Sequence, residues 1–188
     1  MVKAQNPGDA AGLLKGLTAP VRVSPEQWNP PFCGDIDMRI GADGTWYYLG
    51  TPIGRAPLVK LFASVLRREG EAYYLVTPVE KVGIRVDDAP FMAVRLRIEG
   101  EGEGQQLHFD TNVDDEVAAG PEHPLRFAAS GEGLKPYVRV RGGLEALVTR
   151  SLYYELVQLG TVRDGWFGIW SGGRFFAMQR ASEIDVET

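Results

Sequence analysis

The chain has 188 residues, 44% hydrophobic and 24% charged, with a formal net charge of −5, a balance that excludes a disordered polyelectrolyte and suits one large domain or two small ones with a real core. Its single cysteine, Cys33, excludes an intrachain disulfide and a cysteine-rich zinc site. Met1 to Leu17 lacks the apolar stretch of a secretory signal and no run approaches 18 apolar residues, so the expectation is a cytoplasmic protein without a membrane-spanning helix.

Residues 1–31 read as a peripheral segment. Asp9 can cap a short helix through Leu13, Leu14 and Leu17, and Pro20, Pro25, Pro30 and Pro31 punctuate an extended entry. From Asp35 to Ile40 the chain alternates strictly, with Ile36, Met38 and Ile40 on one face and Asp35, Asp37 and Arg39 on the other, which predicts a half-buried strand. Gly41 to Gly44 predicts a hairpin turn and Thr45 to Leu49 a second strand, broken by Gly50 to Arg55. A helix follows from near Pro57. Leu58, Leu61, Phe62, Val65 and Leu66 form one apolar stripe, Arg67 and Arg68 suit its C-terminal end, and Gly70 stops it. Tyr73 to Thr77, Val82 to Val86, Phe91 to Ile98 and Gln105 to Thr111 read as strands, the last followed by the acidic loop Asp114-Asp115-Glu116.

The second half repeats the pattern. Pro124 to Ala128 and Tyr137 to Arg141 are predicted strands, Gly142-Gly143 a break, Leu144 to Leu159 a helix ended by Gly160, and Trp166 to Trp170 with Phe175 to Arg180 a hairpin. Tyr47 and Tyr137 occupy equivalent places, and Trp166 answers Tyr73. The fold predicted is α+β, two repeated ββαββ-like units with curved antiparallel sheets, divided as 1–31, 32–111 and 112–188.

Four strings are unusually specific: Trp28-Asn29-Pro30-Pro31-Phe32-Cys33-Gly34-Asp35-Ile36-Asp37-Met38; Gly50-Thr51-Pro52-Ile53-Gly54-Arg55; Val76-Thr77-Pro78-Val79-Glu80-Lys81-Val82-Gly83; and Thr111 to Asp115 with Gly120 to Arg126. Together they resemble the bacterial family known as domain of unknown function 1285, over nearly all of the chain from Trp28 onward. The resemblance implies a duplicated α+β core, a C-terminal half superficially like a pleckstrin-homology barrel, a ligand site between the halves and a role in signalling. It assigns no catalytic residue and names no cofactor.

The residues themselves suggest several sites. Gly50 to Arg55 and Arg141-Gly142-Gly143 read as glycine-marked strand-to-helix junctions, where free N–H groups and an arginine would receive an anion, or where glycine merely permits a tight turn. Asp110-x-Asn112-x-Asp114 starts like a calcium loop, but Asp115 stands where glycine is needed and Pro121 where a bidentate glutamate is needed. Asp110, Asp114 and Asp115 otherwise form a looser oxygen cluster or a simple acidic turn. Asp35, Asp37 and Arg39 share a face that is either a carboxylate pair in a cleft or a solvated surface with an Asp37–Arg39 ion pair. Cys33 reads as a small buried residue, His123 as a site residue or a loop hydrogen bond, and the aromatic run from Trp166 to Phe176 as hairpin core rather than a base-stacking platform.

The resulting expectation is a non-enzymatic sensor or adaptor for a small anionic molecule or partner segment. Its site is drawn from Arg39, Arg55, Glu80, Lys81, Asp114, Asp115, His123 and Arg126, with no catalytic residue and no metal ligand assigned. The alternatives are a cation-dependent hydrolase using clustered carboxylates and a nucleic-acid binder using Arg95, Arg97, Arg139 and Arg141. The acidic composition weighs against the last.

Overall fold

Met38 and Ile40 have no solvent exposure, whereas Asp35 and Asp37 on the opposite pleat are exposed. Period-two alternation thus sets strand β1 (Phe32–Ile40) as the sequence predicts. The computed structural model describes residues 24–131 and 133–184 and divides the chain into two units, one ending at Pro90 and one beginning at Phe91. The helix predicted over Asp9 to Leu17 lies outside the described residues.

In the first unit β1 turns through Gly41, whose N–H bonds the carbonyl of Thr45 at 2.8 Å, into β2 (Trp46–Tyr48) and the two-residue β3 (Thr51–Pro52). Helix α1 (Ala56–Ser64) follows, then β4 (Leu66–Glu69), β5 (Ala72–Val76) and β6 (Lys81–Val86). The six strands form one sheet in the order β3-β2-β1-β6-β5-β4, antiparallel throughout except for β1 with β6. A parallel pair requires a long crossover, and α1 lies in it. Trp46 stacks on Phe62 with ring centroids 6.0 Å apart, and Met38, Val65, Leu66 and Leu75 fill the core around them.

Here the structure corrects the helix. It stops at Ser64, and Leu66 opens β4, so Arg67 and Arg68 lie on a strand. Val65 and Leu66 are fully buried, as the apolar stripe requires, but burial at i+7 and i+8 fits a third helical turn and a buried strand entry equally well. In β4 the buried Arg67 donates to the carbonyls of Pro25 (3.2 Å) and Trp28 (2.8 Å). Those contacts tie the entry segment, with its 3-10 turn at Pro25–Gln27, to the sheet.

The second unit contains β7 (Phe91–Glu99), β8 (Gln106–Thr111), β9 (Glu116–Ala118), β10 (Leu125–Ser130), β11 (Gly133–Arg141) and β12 (Leu144–Val148). Their order is β10-β11-β12-β7-β8-β9, antiparallel except for β12 with β7. Both six-stranded sheets are therefore two antiparallel meanders joined at one parallel pair. Helix α2 (Arg150–Gln158) leads into a separate sheet of β13 (Thr161–Arg163), β14 (Trp166–Ser171) and β15 (Arg174–Arg180). The motif three strands, helix, three strands occurs twice, as β1 to β6 around α1 and β10 to β15 around α2. Among the described residues no helix is long and apolar enough to cross a membrane.

Three further expectations change. Leu144 to Val148 is a strand, not the start of a helix; its alternating burial has period two, and α2 begins only at Arg150. Arg141-Gly142-Gly143 is accordingly a hairpin turn between β11 and β12 rather than a strand-to-helix junction. Both glycines have positive φ, of 50° and 76°. The sequence division after Thr111 places β7 and β8 with the first half, whereas the compact units divide after Pro90. Ladder pairing explains it, since β7 bonds to β12, 50 residues and more downstream, a contact that local patterning does not reveal.

Candidate functional site

The eight polar residues singled out by sequence each have a definite local setting. Arg39 pairs with Asp87 and lies 4.4 Å from the centroid of Tyr47. Arg55 is the N-cap of α1 and is exposed. Glu80 and Lys81 adjoin at the start of β6, Lys81 reaching Glu69 at 3.1 Å and lying over Tyr74. Asp114 and Asp115 share the β8–β9 turn. His123 Nδ1 is 3.1 Å from the carbonyl oxygen of Arg139, and Arg126 grips Glu145 bidentately at 3.0 and 2.8 Å. Three of the basic groups are thus answered by carboxylates of their own unit. The same holds for arginines considered for nucleic acid: Arg95 faces Asp110, Arg97 faces Asp110 and Glu116, and Arg141 faces Asp115.

The first strand's polar face also resolves into pairs. Asp37 binds Arg85 at 3.0 Å and Arg39 binds Asp87, so the charges pair from β1 to β6 and its end, not along β1. Cys33 is exposed rather than buried.

The β8–β9 turn borders a hollow lined by Arg95, Asp110, Asn112, Asp114, Asp115 and Glu116, among others. Thr111 builds the turn: its hydroxyl accepts the N–H groups of Val113 (3.3 Å) and Asp115 (3.0 Å). Asp114 adopts φ 67°. Burial pushes the Asp115 carboxyl above its ordinary value, Arg141 at 3.6 Å pulls it down, and Asp114 pushes it up. Asp115 Oδ2 is buried without a hydrogen-bond partner. Among the described residues no three His, Cys, Asp or Glu side chains form a group that could hold a metal ion.

A different place in the second unit has the form of a ligand pocket. β12 pairs with β11 only from Tyr137 onward, and the chain leaves β12 at Val148 to enter α2. Gly133 to Pro136 of β11 therefore runs beyond its β12 partner, paired on the other side with β10. Pro136 sits in that stretch without an N–H to leave unbonded. The gap holds about 330 Å³, at the lower end of the range of about 300–1,000 Å³ for small-molecule sites. Leu134, Pro136, Leu147, Val148 and Tyr153 line it, together with Ser130, Gly133, Tyr154 and the exposed Lys135 and Arg150. Arg150 opens α2, donates from Nε to the Tyr154 hydroxyl at 2.9 Å, and stands where the helix dipole is positive. Burial, and secondarily Tyr154, pushes the Tyr153 phenol above its ordinary value, so it stays protonated and able to donate.

Sequence reasoning missed this pocket because it carried the helix back to Leu144. The available signal was the period-two alternation of Leu144, Ala146 and Val148 followed by Thr149, a residue suited to an N-cap.

Two α+β units, each built from meanders around one helix, and a small apolar pocket with two cationic residues define a class of protein rather than a reaction. The comparisons give the family. The model of the domain of unknown function DUF1285, N-terminal domain, matches residues 20–89, and that of the protein of unknown function DUF1285, C-terminal domain, matches residues 90–178. The chain belongs to the DUF1285 family. It is similar to the crystal structure of a DUF1285 family protein from Silicibacter pomeroyi DSS-3, with 51% identity, 96% of this chain and 98% of that chain covered, and a TM-score of 0.87. A DUF1285 family protein from Shewanella baltica OS155 shares 30% identity over 64% of this chain and 90% of that one, with a TM-score of 0.53. No curated protein matches the chain.

Proposed function

We propose that this protein is a non-enzymatic binding and regulatory module for a small anionic molecule, held in the pocket between the end of β11 and the first turn of α2. The observation that carries this reading is the hollow of about 330 Å³ itself, whose lining is mainly apolar and aromatic and also includes the residues Lys135 and Arg150. A guanidinium matches a carboxylate or phosphate with two parallel hydrogen bonds. Arg39, Lys81 and Arg126 enter this reading as structural ion pairs. The regulatory part leans on the resemblance of the C-terminal half to a pleckstrin-homology-like barrel, and fold alone does not fix function. The cytoplasm is the compartment that suits it, since an exposed free thiol such as Cys33 stays reduced there.

Isothermal titration of the protein with carboxylates and phosphorylated metabolites tests the proposal. Saturable binding of an anion that weakens at least tenfold in Arg150→Gln supports it. No saturable binding by any anion at millimolar concentration refutes it.

A further inference from the structure

We infer that the open edge of β7 joins two copies of this chain, the stretch from Arg95 to Glu99 pairing antiparallel with the same stretch of a second copy about a two-fold axis at Arg97. The inference is independent of the hollow beside α2.

β8 pairs with β7 from Ala93 to Glu99, whereas β12 pairs with β7 over Phe91 to Ala93 alone and then leaves for α2. Just past the end of β12, the Thr149 N–H still reaches the Ala93 carbonyl on that side at 3.2 Å. A bulge follows between Ala93 and Arg95. Beyond it, alternation decides which backbone groups face the open side. The Leu107 carbonyl accepts from Ala119 and the Thr111 N–H donates to Asp115, both at 2.8 Å, so the odd-numbered residues of β8 bond away from β7. Gln106, His108 and Asp110 therefore bond to their opposites Glu99, Arg97 and Arg95, and the N–H and C=O groups of Leu96 and Ile98 point to the open side. No strand among the described residues pairs with them there. Solvent reaches this edge: Val94 is 50% and Ile98 43% exposed, although Leu107, directly opposite Ile98 on β8, is fully buried. A sheet face that stays apolar up to an unpaired, exposed edge is a template for another strand.

The order of residues along the edge selects a second copy as that strand. Read antiparallel to itself about Arg97, the stretch sets Arg95 opposite Glu99 of the second copy, and Leu96 opposite its Ile98, with the same two pairs repeated on the other side of the axis. Leu96 and Ile98 carry the outward backbone groups, so each such pair exchanges two N–H···O bonds without a shift. Opposite charges across a ladder stabilise it and like charges destabilise it. The exposed side chains of Arg95 and Glu99 are open to the second copy. Arg97 meets its own counterpart on the axis, but each is answered in its own sheet by Asp110 at 3.4 Å and Glu116 at 2.5 Å. Moving the axis to Leu96 would set Arg95 against Arg97, and moving it to Ile98 would set Leu96 against Gly100, outside the strand.

The experiment is sedimentation velocity of the whole protein between about 1 and 500 µM, a range that covers weak and moderate association. The parent is expected to pass from monomer to dimer as concentration rises. Arg95→Glu and Glu99→Arg each set like charges opposite one another twice per dimer, and each should weaken association about tenfold or more. Mixing the two variants sets glutamate against arginine at both places, so a heterodimer of about the parent's affinity should return. Cooperative thermal unfolding of each variant alone, well above the assay temperature, establishes that it is folded.

A parent that stays monomeric to the highest concentration would overturn the inference. A dimer that neither charge reversal weakens would lie on another surface and overturn it. Weakening by both variants without recovery on mixing would overturn it as well, since a local packing defect accounts for that result and opposed charges do not.

Discussion

The guanidinium of Arg126 lies 4.2 Å from the ring centroid of Tyr137, its directly cross-strand neighbour on β11. Arg39 stands over Tyr47 at 4.4 Å in the same cross-strand relation between β1 and β2. Each arginine also binds a carboxylate, Glu145 or Asp87. The duplicated architecture thus repeats a three-part device, a cation held between a ring and an anion. A double-mutant cycle of Arg126→Met with Tyr137→Leu should give a coupling of about 0.5–1 kcal/mol in urea unfolding, the size of an exposed cation–π contact. The cycle at Arg39 and Tyr47 should give a similar value. Zero coupling at both would reduce the repeat to coincidence of shape.

Ser171 closes the second unit. Its fully buried hydroxyl accepts the N–H of Leu107 at 2.9 Å and donates to the carbonyl of Ala119 at 2.7 Å, joining β14 to the segment around β8 and β9. Gln105 adds a bond from Nε2 to the Trp170 carbonyl at 2.8 Å. Ser171→Ala leaves a buried donor short of its side-chain partner, so the variant should lose about 2–3 kcal/mol. Ser171→Thr, which keeps the hydroxyl, should lose stability through crowding instead and retain the slow exchange of the Leu107 amide. Hydrogen-exchange mass spectrometry separates the two causes.

Glycine requirements differ sharply along the chain. At Gly168 an added β-carbon would lie 2.3 Å from the carbonyl oxygen of Phe176 and 2.9 Å from Cα of Ala177, backbone atoms that cannot step aside. Gly168→Ala should cost about 3 kcal/mol or more and open the β14–β15 hairpin. At Gly54 nothing lies within 4 Å and φ is not positive. Gly54→Ala should leave stability unchanged or raise it by about 0.4–1 kcal/mol through the unfolded chain. Thermal unfolding of the two variants side by side checks both.

Asp115 and Glu69 should respond oppositely to pH. Burial raises the Asp115 carboxyl above 3.8 despite Arg141, so as pH rises past the unfolded value the folded protein holds the proton longer. Its contribution to stability therefore falls between the unfolded and folded values and stays low above both. Asp115→Asn should gain stability relative to the parent at pH 7 compared with pH 4. For Glu69, burial raises the carboxyl but hydrogen bonds from Lys81 and Arg67 outweigh it, and the net value lies below 4.5. Its contribution is present above the unfolded value and lost as pH falls through the folded one. Glu69→Gln should accordingly lose most of its deficit at low pH. Urea unfolding at the two pH values reads both differences.

Local pattern made much of this fold readable. Alternation fixed β1, glycine turns marked the β1–β2 and β14–β15 hairpins, and the equivalence of Tyr47 with Tyr137 survives as a shared contact with arginine. What failed was local pattern where two structures satisfy it. Val65 and Leu66 are buried at helical spacing yet enter a strand, and Leu144, Leu147 and Val148 fit a helical stripe although they belong to β12. The parallel pairs β1–β6 and β12–β7 are long-range contacts with no local signature. The pocket depends on one of them indirectly, because only a β12 that ends at Val148 leaves the end of β11 open beside Arg150. Polar residues drew attention in the sequence, whereas Leu134, Pro136 and Leu147 became informative only once the topology placed them around one hollow.

The most direct test of the central claim is a thermal-shift comparison of the parent protein with a Lys135→Gln, Arg150→Gln double variant across a panel of carboxylates and phosphates. A ligand at 100 times its dissociation constant adds about 2.7 kcal/mol, a shift of several degrees for units of this size. The account predicts that at least one anion raises the parent's midpoint by that amount and leaves the double variant unmoved, while the unliganded midpoints agree. An anion that shifts both proteins equally, or a panel that shifts neither, would contradict it.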